Sequence, residues 1–427
     1  MKINELRARI SEMSEDTRKG LSVLYSCPVA EKERILRAID SFSELFDCDR
    51  EAYLLSVPGR SEILGNHTDH NRGKVLAASI DRDVIAVASP NGTDKVNLKS
   101  EGYDKISVEL SRMGERTAYP RYSSAALVLG VADGFVNEGY SVSGFDCYMT
   151  SDVPRGSGLS SSAAFEVMIG NVFNHLFCGG VVSNESIAKI AGYAENEYFG
   201  KPCGLMDQMA CAVGGLLYMD FENPTEPQIS SVSFSPSAMD YTLCIVNTGG
   251  SHADLNEDYA SVPAEMKSVA ALFGQNELRG LSERDILSRT TCIRESVGDR
   301  ALLRALHFVR ENKRVDFARQ ALENKALDSF FEAVTASGRS SFEYLQNLYT
   351  NKNVREQGLS VAIAISEEFV LLHGGACRVH GGGFAGTVQA YVKRDNAKEY
   401  VALMESVFGK NCVMCLNIRK AGATKVF

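Results

Sequence analysis

Residues 154–165 read Pro-Arg-Gly-Ser-Gly-Leu-Ser-Ser-Ser-Ala-Ala-Phe and combine three ways of holding a phosphate. Gly156 and Gly158 let a backbone come close to a ligand. Ser160, Ser161 and Ser162 offer hydroxyl donors and metal-ligating oxygens. The helix-forming run that begins at Ala163 would set free N–H groups and a positive dipole end beside the loop. No Gly-Lys-Ser/Thr occurs anywhere, so this is not a Walker A loop but a nucleotide site of another design. The plain alternative is a flexible turn before a helix.

Three further constellations carry chemistry. Gly59-Arg60-Ser61-Glu62-Ile63-Leu64-Gly65-Asn66-His67-Thr68-Asp69-His70-Asn71 is dense in hydrogen-bonding side chains, as polyol recognition requires, and Arg60 adds a fixed cation for phosphate. A solvated surface loop would look similar, and the His67-x-Asp69-His70 spacing matches no zinc pattern. Glu195 and Asp207 flank the Gly200-Lys-Pro202 turn. They read either as helix-end carboxylates or as the pair a magnesium-assisted transfer needs, one on the metal and one on the nucleophile's proton. His380-Gly-Gly-Gly-Phe-Ala-Gly386, flanked by two strand-like runs, permits close backbone approach, or is a plain hairpin turn.

The elements that must position these residues follow from periodicity. Helical spacing appears over 3–20, 30–46, 122–138, 184–199 and 395–408, with a long helical region from 257 to about 370. Strand patterns appear at 52–57, 75–80, 83–89, 95–99, 105–110, 145–149, 241–247, 375–380, 386–393 and 411–418, and Arg60 to Lys74 reads as a polar loop. This order predicts an α+β protein with a boundary near 230. The predicted divisions are an N-terminal helical extension at 1–48, expected to be a surface addition, a first domain at 49–230 and a second at 231–427.

At 427 residues the chain exceeds one comfortable core. A net charge of −9 argues against an electrostatic grip on nucleic acid or anionic membrane. The N-terminus lacks the apolar core of a signal peptide, no run reaches membrane-spanning length, and the eleven cysteines are irregularly spaced, so a reduced, cytoplasmic protein is expected. Cys412-Val-Met-Cys415 is a lone C-x-x-C in a strand-like run, read as core packing over a metal or redox role.

Together the motifs resemble a known set. Gly59-Arg60, Gly65-x-His67-Thr68-Asp69 and Asn71-x-Gly73 come first. Pro154-x-x-x-Gly158-Leu159-Ser160-Ser161-Ser162-Ala163 follows, then Pro202-Cys203-Gly204-x-Met206-Asp207-Gln208, then Gly381-Gly382-Gly383-Phe384-x-Gly386. In this order they resemble the galactokinases, members of the GHMP small-molecule kinases, across about residues 50 to 425. The resemblance implies a two-domain α+β GHMP kinase fold with mixed and antiparallel sheets, flanking helices and an active site between the domains. It implies ATP and Mg2+ as cofactors and a sugar as substrate, in a monomer or weak homodimer. Gly156, Ser157, Gly158, Leu159, Ser160, Ser161 and Ser162 would wrap the ATP phosphates, with Ser100 also at the nucleotide. Ser162 and Glu195 would hold Mg2+. Asp207 would be the base toward the sugar's anomeric hydroxyl, and Arg60 would steady Asp207 and the moving phosphoryl group. Asn66, His67, Asp69, Gly204 and Tyr259 would meet the sugar, with glycines 381–383 supporting the site from the second domain.

Two departures from the family pattern matter, beside the smaller change of Ala385 for the usual glycine in the last motif. Asn66 stands where the family has a glutamate used on the sugar, and Ser61-Glu62 replaces the usual Val-Asn after the arginine. Galactose is the expected substrate, with another hexose or N-acetylgalactosamine as the alternative. A non-catalytic sugar and ATP sensor would lack residues of the Gly-Leu-Ser-Ser-Ser-Ala stretch, which is intact here. Kinases for mevalonate or homoserine share the glycine/serine loop but not the Arg60-to-Asn71 cluster.

Overall fold

The structure is a computed structural model that describes residues 1–46, 50–154, 156–201, 203–234, 236–250 and 255–427. Arg155 and Pro202 of the motifs above, and the predicted boundary at 48, lie outside the described residues. Three helices open the chain, α1 (Ile3–Glu12), α2 (Glu15–Leu21) and α3 (Lys32–Leu45). The pattern over 3–20 breaks at Met13, which takes φ 48°, and Ser14 caps the next helix through its hydroxyl.

The first sheet contains β1 (Tyr53–Leu64), β2 (Lys74–Pro90), β3 (Lys95–Ser100), β4 (Ile106–Glu109), β5 (Phe145–Ser151), β6 (Leu216–Asp220) and β7 (Gln228–Val232). Residues 60–64 are strand, not the predicted loop. Their polar side chains hid the pattern because β1 shifts register between Pro58 and Arg60 and again between Glu62 and Leu64. Such irregularities re-aim side chains, and here they turn Arg60 and Glu62 inward, 6% and 4% exposed. The predicted strands 75–80 and 83–89 are one strand, β2. Its first half pairs with β6 and its second half with β5.

Strand alternation explains how this sheet is covered. Leu55, Val57, Ala86 and Ala88 face one core, built with α4 (Ser124–Asn137), α5 (Ser161–Phe177), α6 (Asn184–Ala194) and α7 (Met206–Val213). Leu54, Ile85, Val87 and Tyr148 face the other side, where Leu6, Ile10, Ile35, Ile39 and Phe42 of the N-terminal helices cover them. The N-terminal segment is therefore a structural layer and not the expected surface addition. Without it an apolar sheet face would meet water.

The second half of the chain supplies α8 (Asn256–Leu272), α9 (Glu283–Ser288), α10 (Thr290–Val297), α11 (Asp299–Glu323), α12 (Leu327–Ser340), α13 (Gly358–His373) and α14 (Ala397–Phe408). Its strands β8 (Tyr241–Asn247), β9 (Gly375–His380), β10 (Thr387–Lys393) and β11 (Val413–Leu416) form an antiparallel sheet in the order β11-β8-β10-β9. Leu243 and Ile245 face a core that also contains Ile63, Leu64, Leu76 and Phe330, so this sheet packs toward the first. Cys244 and Val246 face the opposite core, beneath α13 and α14. The closing strand β12 (Thr424–Lys425) returns to pair with β1.

One buried ionic cluster fastens the N-terminal layer, β2 and the C-terminal segment together. The Asp83 carboxylate accepts from Arg34 Nη2 at 2.6 Å, Tyr25 Oη at 2.6 Å and Arg419 Nη1 at 3.0 Å, and also from Ser56. Burial opposes its charge, but Arg34 and Arg419 hold it below the ordinary carboxylate range. Asp83→Ala leaves the fully buried Arg419 guanidinium without its counter-charge. Denaturant melts should show a loss of about 3–5 kcal/mol; a loss below about 1 kcal/mol would contradict this role.

Candidate active site

β1 and the 156–162 loop meet because Gly59 carries no side chain. A Cβ there would lie 2.7 Å from the Leu159 carbonyl oxygen. The contact is sealed by Arg60 N–H donating to that oxygen at 3.0 Å. The Arg60 side chain then donates to the Gly158 carbonyl and, through Nε at 2.8 Å and Nη2 at 2.6 Å, to Asp207 Oδ1. Asp207 stands in the first turn of α7, where the helix dipole favours its charge. Its other oxygen accepts from the Ser160 hydroxyl. Burial pushes the Asp207 pKa up, but Arg60 and Ser160 outweigh it and hold the carboxyl below its usual range.

Ser160 sits at the N-cap of α5 with φ 57° and gives that helix no side-chain cap. Its hydroxyl goes to Asp207 instead, so the first-turn N–H groups of α5 stay available to an anion. Ser157 is buried, and its hydroxyl donates to the Pro154 carbonyl at 2.7 Å, which folds the loop on itself. Leu159 is buried, whereas Gly156, Gly158 and Ser162 are exposed at the loop surface.

Beside this helix start lies a cavity of about 1040 Å3 lined by Ser100, Tyr122, Ser161, Ser162, Phe165 and Phe199. Tyr122 is 68% exposed and meets Phe199 edge-on at 5.4 Å. The sequence reading found Ser100 and the serines but missed the aromatic wall. Tyr122 lies at a chain turn with φ 62°, and no pattern marked it.

Glu195 is 3% exposed. The helix carrying it ends there in a wider turn, closed by Gly200 N–H donating to the Glu195 carbonyl at 3.0 Å. Its carboxylate accepts from Lys201 Nζ at 3.0 Å and Gln208 Nε2 at 2.6 Å. The same Gln208 amide reaches the buried Glu166 carboxyl at 3.2 Å. Burial and the neighbouring Glu195 push the Glu166 pKa well up, and one of its oxygens has no hydrogen-bond partner. Two carboxyl groups here attract positive charge, and a hard oxygen donor set of this kind fits Mg2+. Among the described residues no three His, Cys, Asp or Glu side chains form a metal cluster, so protein ligation alone would be sparse.

The predicted sugar residues divide into two groups. Asp69 and Gly204 adjoin Asp207. A Cβ on Gly204 would come 2.8 Å from Asp69 Oδ2, so only glycine leaves that carboxylate in place. Burial, then repulsion from Asp207, pushes the Asp69 pKa up to about 6. The other three bind successive carbonyls of the glycine turn. Asn66 Nδ2 donates to Gly381 at 2.7 Å, His67 Nε2 to Gly382 at 2.9 Å and Tyr259 Oη to Gly383 at 2.8 Å. His67 and Tyr259 stay partly exposed, whereas Asn66 is fully buried.

The expected direct contact of Asn66 with the sugar is thereby corrected. Its amide nitrogen also donates to Glu62 at 3.0 Å, and its oxygen accepts from Asn347 at 2.8 Å, so its hydrogen-bonding capacity is spent inside the protein. Glu62 in turn pairs with the buried Arg378 at 2.9 Å. The carboxylate expected at 66 stands at 62, and the two exchanged side chains touch.

Sequence reading also missed the relay that ties the second sheet to the 156–162 loop. Thr387 Oγ1 donates to the Ser157 carbonyl at 3.0 Å and accepts from His380 Nδ1 at 2.9 Å, so His380 Nε2 accepts from Ser61 at 3.1 Å. Burial, with Arg60 and Arg378 nearby, drives the His380 pKa well down and keeps it neutral for this role. The signal was present in Ser61 and His380, but only tertiary contact joins them.

Comparison with known proteins follows this geometry. Residues 125–215 match the family model for the GHMP kinases N terminal domain, and residues 40–90 match the galactokinase galactose-binding signature. The galactokinase of Mycobacterium tuberculosis is 31% identical over 352 residues, covering 80% of this chain and 90% of its own. That of Streptomyces coelicolor is 29% identical, covering 86% of this chain and 92% of its own. The crystal structure of Lactococcus lactis galactokinase complexed with galactose superposes with a TM-score of 0.78 at 25% identity, over 92% of this chain and all of that one. Methanococcus jannaschii mevalonate kinase, at 15% identity and a TM-score of 0.60 over 87% of this chain, shares the fold.

The raised Asp69 pKa sets a pH expectation for small-molecule binding at this cleft. A carboxyl whose pKa is raised keeps its proton up to that value, so Asp69 loses one acceptor function as pH falls through about 6. Apparent affinity for a hydroxylated ligand should weaken below that pH, and Asp69→Asn should flatten the profile. A wild-type profile level between pH 5 and 7 would contradict it.

Proposed function

The chain belongs to the galactokinase family of GHMP kinases and is an ATP-dependent sugar kinase; from that premise we propose that it transfers the γ-phosphoryl group of ATP to the anomeric hydroxyl of galactose. The observation that carries the site assignment is the Asp207 carboxylate, clamped between Arg60 and Ser160 directly beside an uncapped helix start. Asp69, whose carboxyl is repelled by Asp207, and Gly204, which packs against Asp69, support a polyol side of the site next to that carboxylate.

In this reading the nucleotide base occupies the cavity walled by Tyr122, Phe199 and Ser100. The triphosphate runs along 156–162 to the N–H groups of α5. Ser162 and Glu195 would hold Mg2+, with Lys201 releasing the Glu195 carboxylate to it. When bound, the ion neutralises charge on the phosphate oxygens.

Asp207 accepts a hydrogen bond from the anomeric hydroxyl and orients it in line with the γ-phosphorus. A carboxyl below its ordinary pKa is a weak base, so it takes the proton late, as the new P–O bond forms and the hydroxyl acidifies. Arg60 keeps Asp207 ionised and offers positive charge to the moving phosphoryl group. His67 and Tyr259 hold the glycine turn and present what remains of their polar surface to the sugar. Division into an N-terminal layer, a first domain to about residue 230 and a second beyond it, in a cytoplasmic monomer or weak homodimer, completes the proposal. Among the described residues no helix is long and apolar enough to cross a membrane.

Initial rates over galactose, N-acetylgalactosamine, glucose, fucose and arabinose, with and without Mg2+, test the substrate and the ion. Galactose with Mg2+ should be fastest; turnover only with another sugar would overturn the substrate assignment. Asp207→Asn should lower kcat by roughly 10²- to 10⁴-fold with a smaller change in sugar KM. An unchanged kcat would remove Asp207 from the mechanism.

A further inference from the structure

The C-x-x-C at 412–415 is not absorbed by the kinase site. Its second cysteine does not face its first. Three residues of extended chain separate Cys412 from Cys415 by roughly 10 Å, beyond the Cα span of about 7 Å that a disulfide tolerates. Cys415 instead stands directly across from Cys244, in register on the neighbouring strand, with the two sulfurs 3.8 Å apart. Directly opposed antiparallel residues have Cα atoms about 4.5–5.5 Å apart, within the range of about 4.4–6.8 Å found in disulfides.

Accessibility differs sharply between the two. β11 is the edge strand of its sheet and Cys415 is exposed, whereas Cys244 is fully buried under α13 and α14. The edge thiol therefore meets solvent and the inner thiol waits behind it. The hydrogen bond from Cys244, aided by Arg82, lowers the Cys415 pKa to about 7 against partial burial. That same hydrogen bond and burial push the Cys244 pKa well up. An attacking thiolate outside and a protonated resolving thiol inside are the ordered parts of thiol–disulfide exchange.

We propose that Cys244 and Cys415 form a reversible oxidation site, closing a cross-strand disulfide at the expense of a small-molecule disulfide of the oxidised-glutathione class. The Cys415 thiolate attacks one sulfur of that disulfide, whose S–S bond breaks, and one glutathione leaves as a thiolate that takes a proton from water. Cys244 then attacks the Cys415 sulfur, the Cys415–glutathione S–S bond breaks, and the Cys244 proton passes to the departing second glutathione thiolate. Two protein thiols are oxidised and one disulfide molecule is reduced to two thiols. The site is separate from the Arg60–Asp207 cleft and independent of the kinase assignment.

The test uses the full chain, reduced and then incubated with oxidised glutathione, alkylated and mapped by mass spectrometry. Two of the eleven thiols should disappear, with one cross-linked peptide pair containing Cys244 and Cys415, reversed by dithiothreitol. Cys415→Ser, an exposed change, should abolish the cross-link and leave the unoxidised sugar-kinase rate unchanged. Cys244→Ala should stop the reaction at a glutathione adduct on Cys415. A lasting glutathione adduct on Cys415 of the unsubstituted chain, a cross-link through Cys412, or eleven thiols remaining would each overturn the proposal.

Discussion

The ion pair between Arg60 and Asp207 is the constraint on which the site depends. Arg60, 6% exposed, would be costly in its place alone, because a buried guanidinium loses water without compensation; Asp207, its side chain 33% exposed, supplies the counter-charge at the mouth of the site. Together they join a strand of the first sheet to the start of α7. Arg60 also grips the Gly158 and Leu159 backbone carbonyls, so the 156–162 loop takes its place from the residue that holds the carboxylate ionised. The charge of Asp207 and the position of the loop are thus both tied to Arg60, through its side chain and its backbone N–H.

Around this pair the protein spends polar side chains on backbone carbonyls. Asn66, His67 and Tyr259 hold Gly381, Gly382 and Gly383 in turn, and Thr387 holds Ser157. Arg378 and Glu62 form the ionic base of the first network, where the exchange of amide and carboxylate between positions 62 and 66 keeps both hydrogen-bonding types in contact. The 65–71 segment and the glycine turn come from parts of the chain more than three hundred residues apart, as the Asn66 to Gly381 bond shows with its separation of 315. Arg378 Nε and Asn347 Oδ1 have no partner, but the bonds that are made favour one geometry, because a rearrangement would strand further buried donors or acceptors.

Much of this was legible in sequence wherever chemistry is local. The glycine/serine loop, Arg60, Asp207 and Glu195 could be named because their residue types and neighbours are informative, and the helices and strands around them have clear periods. Residues 60–64 were misread as loop because the polar side chains of Arg60, Ser61 and Glu62 replaced strand alternation there. The N-terminal helices were misjudged because their apolar stripe does not say which sheet face it covers; only the second apolar face of β2 does. Asn66 was assigned to the sugar from its position in a motif, yet its direction depends on Asn347 and Gly381, which no local pattern links to it. Tyr122, Phe199 and the His380 relay were missed for the same reason.

The central claim is that Arg60 and Asp207 act as a unit, and a double-mutant cycle on kcat with galactose tests it most directly. Arg60→Gln, Asp207→Asn and the double variant should show strong non-additivity, with the double variant little slower than the slower single one, since removing either partner already disables the other. Losses that simply multiply, within about twofold, would show two independent residues and contradict the account.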